Sequence, residues 1–94
     1  MYLLIDIGNT ACKAAFADNE RIGKVFRYAG DDIRQFIRET FDSEYPGQRV
    51  RVAVLSNVRA DDPELETMLL NECCDRLIVL DVAECDRLVK TGLP

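Results

Sequence analysis

Ile5-Asp6-Ile7-Gly8-Asn9-Thr10, with Lys13 three residues further on, is the stretch on which the reading of this chain turns. The apolar run Tyr2-Leu3-Leu4-Ile5 leads into it and reads as a strand buried on both faces. Asp6 places a carboxylate near the strand end. Gly8-Asn9 is a pair that tolerates positive φ and makes tight turns. Ala11 to Ala17 returns as a second strand. The hairpin tip thus gathers an acid, free backbone N–H groups, the Thr10 hydroxyl and the Lys13 ammonium. Such a tip suits phosphate and a hydrated divalent cation. There the amides and Thr10 would donate to phosphate oxygens and Asp6 would hold Mg²⁺ through water. The same residues also read as an ordinary hairpin connector with an acid at the strand end. Lys13 reads either as a phosphate contact or as an outward lysine on a half-exposed strand.

Outward from the hairpin, Asp18-Asn19 makes the next turn and Arg21 to Tyr28 a third strand. Its pattern puts Ile22, Phe26 and Tyr28 on one face and Val25 on the other. Gly30-Asp31-Asp32 opens a helix with Asp31 as N-cap. Ile33, Phe36, Ile37 and Phe41 form its apolar stripe, and Tyr45-Pro46-Gly47 ends it. Val50 to Leu55 is a β-branched strand followed by Ser56-Asn57-Val58. Asp61 to Glu64 has the spacing of a capping box, with Pro63 in the first turn. Leu65, Met68, Leu69 and Cys73 mark the buried side of that second helix. Leu77 to Leu80 is a further strand ending at Asp81, and Ala83 to Lys90 begins a third helix. The order β-β-β-α-β-α-β predicts an α/β fold: an antiparallel ribbon joined to parallel strands in one mixed five-stranded sheet with flanking helices.

Ninety-four residues fit one small domain, and 48% hydrophobic against 31% charged residues is a globular balance rather than a disordered one. The net charge of −5 argues against nonspecific nucleic-acid binding, which needs a basic face. Arg49 and Arg51 flank Val50 and read as a solvated strand face. No run reaches the length of a membrane span and the start lacks a basic leader, so a cytoplasmic location is expected. Four cysteines without Cys-x-x-Cys spacing, and no histidine, speak against a zinc site. The thiols read as small buried hydrophobes.

Asp6-Ile7-Gly8-Asn9-Thr10 resembles the Asp-x-Gly-x-Thr phosphate motif of the actin, hexokinase and heat-shock chaperone superfamily of ATPases. The longer string from Leu4 to Lys13 most resembles the N-terminus of type III pantothenate kinases. Val54-Leu55-Ser56-Asn57-Val58 is similar to that family's strand with a Ser-x-Val element, and Thr91-Gly92-Leu93-Pro94 to the approach to its substrate region. The resemblance implies a ribonuclease H-like N-terminal domain over residues 1–94. It implies ATP-dependent phosphorylation of pantothenate to 4′-phosphopantothenate, on the way to coenzyme A. It also implies ATP, Mg²⁺ and a monovalent cation as cofactors; a homodimer is expected of the chain itself. Asp6, Gly8, Asn9, Thr10 and Lys13 would hold phosphate and metal. Ser56 and Asn57 would either line the acceptor side or make the turn into the next helix. The catalytic Asp is expected downstream, in a Gly-x-Asp-Arg element of a second domain, so this chain alone is expected to be inactive. Without that domain, apolar surface around Leu88, Val89 and Leu93 is expected to favour self-association. The alternatives are a non-catalytic regulatory or assembly module, and another small-molecule kinase or phosphatase of the same fold.

Overall fold

The computed structural model describes residues 1–80. Five strands, two helices and one π-helical turn follow in the order β1 (Tyr2–Ile7), β2 (Cys12–Ala17), β3 (Ile22–Tyr28), α1 (Ile33–Glu44), β4 (Val50–Asn57), α2 (Pro63–Met68), the π-turn (Leu69–Cys73) and β5 (Cys74–Leu80). The strands form one sheet in the order β3-β2-β1-β4-β5. The β1–β2 and β2–β3 pairs are antiparallel, and the β1–β4 and β4–β5 pairs are parallel. The chain is therefore α/β with a mixed sheet, and β1 lies at its centre. Asp81, the third helix from Ala83 to Lys90 and the apolar residues Leu88, Val89 and Leu93 lie outside the described residues.

Both crossovers step the same way across the sheet, from β3 past β1 to β4 and then to β5. Right-handed connections that step the same way put their helices on the same face. Leu3, Ile5, Ile7, Ala53 and Leu55 point to that face, where Ile37 and Phe41 of α1 meet Leu65, Met68 and Leu69. This corrects the expectation of a first strand buried on both faces. Among the described residues only one face carries helices, so Tyr2 and Leu4 stay half-buried and Asp6 is exposed.

The third strand departs from simple alternation. Ala15 pairs with Val25 while Ala17 pairs with Ile22, so β3 holds one residue more than β2 between those pairs. This bulge moves Ile22 away from the Phe26–Tyr28 face and sets it beside Val25 on the helix-free face. Gly23 lies in the bulge, and a Cβ there would stand 3.1 Å from Phe16 O. Phe26 and Tyr28 remain on the helix side, and Tyr28 stacks on Phe36 of α1 with ring centroids 5.0 Å apart.

Both helices are capped by the second aspartate of a pair, not the first. Asp32 accepts from Gln35 N at 3.2 Å, and Asp62 accepts from Leu65 N at 3.1 Å. The reason is spacing: a cap side chain bonds the N–H two or three residues on, and α1 begins at Ile33 and α2 at Pro63. The far end of α2 widens into the π-turn, where Cys74 N donates to Leu69 O, and β5 starts without a loop. Arg49 fastens this junction. Its guanidinium donates to Leu70 O at 2.7 Å, Asn71 O at 2.8 Å, Cys74 O and Asp75 Oδ1. Arg49 thus binds carbonyls at the end of the π-turn and the start of β5, rather than merely forming part of a solvated face.

Two measurements check this account. Asp62→Ala should cost about 1 kcal/mol of stability in urea melts while Asp61→Ala leaves it unchanged, as expected for loss of a true cap. Burial pushes Cys12 and Cys73 from an ordinary 9.0 up to about 11. The folded chain therefore holds these protons more tightly than the unfolded chain. The contribution of these two thiols to stability should be level below pH 9 and fall between pH 9 and about 11, with a shallower fall in a Cys73→Ala variant.

Candidate phosphate site at the first hairpin

Strand register places the sequence-predicted side chains. Asp6 is opposite Lys13 on β2 and opposite Ser56 on β4. Lys13 is in turn opposite Arg27 on β3. Partners in register share a sheet face, so Arg27, Lys13, Asp6 and Ser56 form one row across four strands. The face is the helix-free one, because Asp6 alternates with the buried Ile5 and Ile7. Asp6 and Ser56 are each the last but one residue of parallel strands, so the row lies at their carboxyl ends. That is where open α/β sheets bind ligands.

Asp6 and Lys13 face each other without pairing. The ion pairs among the described residues are Arg34–Glu64, Arg38–Glu72 and Arg49–Asp75, all distant from the row. The Asp6 carboxylate is thus open to a cation, and the Lys13 ammonium to an anion. No group of three or more metal-binding side chains occurs among the described residues. A single free carboxylate fits Mg²⁺ that keeps most of its waters and takes its other ligands from phosphate.

The tip itself is residues 8–11, closed by Gly8 N donating to Ala11 O at 2.9 Å. Gly8 and Asn9 do not use positive φ, contrary to the sequence expectation; among the described residues only Gly47 does. Gly8 sits in a close approach instead: a Cβ there would stand 3.2 Å from Ala11 O and would crowd the turn. Asn9 and Thr10 are exposed, and their backbone N–H groups have no protein acceptor among the described residues. Two free N–H donors and a hydroxyl at the tip are thus open to an anion.

Ser56 projects from the row, half-buried. Asn57 behaves differently: both polar atoms of its side chain serve the loop that follows. Its Oδ1 accepts from Arg59 N at 2.9 Å, and its Nδ2 donates to Ala60 O at 2.6 Å. Cys12 lies under the tip and is fully buried. Burial raises its pKa first; Arg59 opposes the rise and Asp6 adds to it. At neutral pH it is a protonated, packed thiol and not a nucleophile.

Beside the row, the helix-free face forms a depression of about 310 Å³ floored by Leu4, Ala15, Val25, Val54 and Leu80. Ile22 and Val25 are 60% and 54% exposed there, so the described residues leave apolar surface uncovered. The site therefore combines a polar rim with an apolar floor.

The structure brings Asp6, Lys13 and Ser56 into one row at the end of the helix-free face, leaves Gly8, Asn9 and Thr10 in the turn that follows β1, and turns the Asn57 side chain into the loop. Sequence reading missed Arg27 and Arg59. Arg27 is legible only once the β2–β3 register is known. Arg59 follows a strand by two residues, a position with no motif of its own. No family model matches the chain, and no curated protein does.

Proposed function

We propose that this chain is the phosphate-binding part of a kinase with a ribonuclease H-like fold, and that the intact protein transfers a phosphoryl group from ATP to pantothenate. The observation that carries the reading is the row Lys13–Asp6–Ser56 at the carboxyl ends of β1 and β4, beside a tip with free N–H donors. A mixed sheet with three antiparallel strands, followed by two parallel ones that each come after a helix, supports it as well. That is the arrangement the resemblance to the ATPase superfamily implies.

In this reading the Asn9 and Thr10 N–H groups and the Thr10 hydroxyl donate to phosphate oxygens. Lys13 adds a positive point charge. Asp6 orients hydrated Mg²⁺, which supplies charge neutralisation at the phosphate. Ser56 offers a hydroxyl on the acceptor side. The residue that takes the acceptor proton is expected from a Gly-x-Asp-Arg element beyond Pro94. Phosphoryl transfer depends mainly on positioning, so both lobes are needed.

In the intact protein, Asp6→Ala should fold normally and lose about a hundredfold or more in kcat, measured with pantothenate, ATP and Mg²⁺. Robust transfer to another small molecule, with none to pantothenate, would overturn the acceptor assignment. Residues 1–94 alone should bind ATP weakly and transfer nothing, because the tip is open to solvent and its bonds are screened. Titration calorimetry that returns micromolar affinity for the isolated chain would contradict this.

A further inference from the structure

The loop that follows β4 folds back onto the hairpin tip. Val58 N donates to Ile7 O at 3.0 Å, and Arg59 Nε donates to Gly8 O at 2.7 Å. The loop is held in that shape by Asn57, whose side chain bonds Arg59 N at 2.9 Å and Ala60 O at 2.6 Å. Arg59 is half-buried, and no carboxylate pairs with it among the described residues. Its charge is thus spent on a backbone carbonyl at the point where the chain turns.

That carbonyl belongs to the peptide joining Gly8 to Asn9. The peptide is trans, so its C=O and N–H point in opposite directions. Holding Gly8 O on the guanidinium therefore fixes the Asn9 N–H on the other side. The Asn9 N–H is one of the two tip donors without a protein acceptor.

We propose that Arg59 is a positioning residue for the phosphate-binding tip, holding the Gly8–Asn9 peptide so that the Asn9 N–H is set toward a phosphate oxygen before any ligand arrives. The inference rests on the phosphate-site reading above. A donor fixed in advance costs no reorganisation on binding, and a charge-assisted bond to Gly8 O resists rotation of the peptide better than a bond to water. Without Arg59 the strands remain paired, but the tip peptide is free to turn. Asn57 belongs to the same device, because it shapes the loop that delivers Arg59.

The test uses the intact protein with inorganic triphosphate and Mg²⁺ in calorimetry, and ATP in steady-state assays. The unaltered protein should bind triphosphate, and Arg59→Ala should bind it about tenfold more weakly. The KM for ATP should rise by a similar factor while the KM for the acceptor stays constant. Arg59→Lys keeps the charge and one donor and should recover part of the loss. It also carries the test if Arg59→Ala does not fold. Equal triphosphate binding by all three proteins would overturn the role of Arg59 and leave the phosphate site standing. A parallel rise of both KM values with a lowered melting temperature would reduce Arg59 to a structural tie and overturn the inference. Absence of triphosphate binding by the unaltered protein would remove the phosphate-site reading, and this inference with it.

Discussion

Asp6 stands between Ile5 and Ile7 on the central strand, and those two isoleucines are 3% and 1% exposed. Side chains alternate along a strand, so burying Ile5 and Ile7 under the helices obliges Asp6 to face the other way. A slip of one residue would drive the carboxylate into the core, where an unpaired charge is very costly. The packing of β1 thus fixes the direction of the acid. The pairing of β1 with β2 and β4 then brings Lys13 and Ser56 alongside it.

The division of the sheet into two unlike faces follows from connection handedness. Two crossovers in one direction bring α1 and α2 to one side, where they bury Leu3, Ala53 and Leu55. Arg38 tightens that layer by gripping Glu72 with two bonds, at 2.8 and 3.1 Å, across from α1 to the π-turn. The opposite face keeps Leu4, Val25 and Val54 accessible beside the polar row. Sheets with parallel strands are normally covered on both sides, so an apolar face beside a charged row is where a ligand or a further layer would gain most.

Two arginines do the fastening at either end of β4. Arg49 precedes the strand and gathers the carbonyls where the π-turn passes into β5. Arg59 follows it and grips the carbonyl of Gly8 at the tip. Both use a planar guanidinium on backbone oxygens that a short, irregular segment would otherwise leave unmatched. Loop shape at the site is therefore set by side chain-to-backbone bonds more than by turn propensity.

By itself the sequence determined the order of elements, the buried stripes Ile37–Phe41 and Leu65–Met68–Leu69–Cys73, and the position of an acid at the end of the first strand. These are local: helical and strand periods, proline, and the apolar runs declare them. Which aspartate caps each helix was missed because the cap depends on where the first turn starts, and Asp31–Asp32 and Asp61–Asp62 differ by a single step. The face of Ile22 was decided by a bulge in β3 that no alternation reveals. Only the tertiary structure set Lys13, Asp6 and Ser56 in one row and carried Arg59 to Gly8. Each depends on register or on a contact 51 residues apart in sequence for Arg59 and Gly8, and pairing between strands is settled by what packs beneath them rather than by the residues that meet.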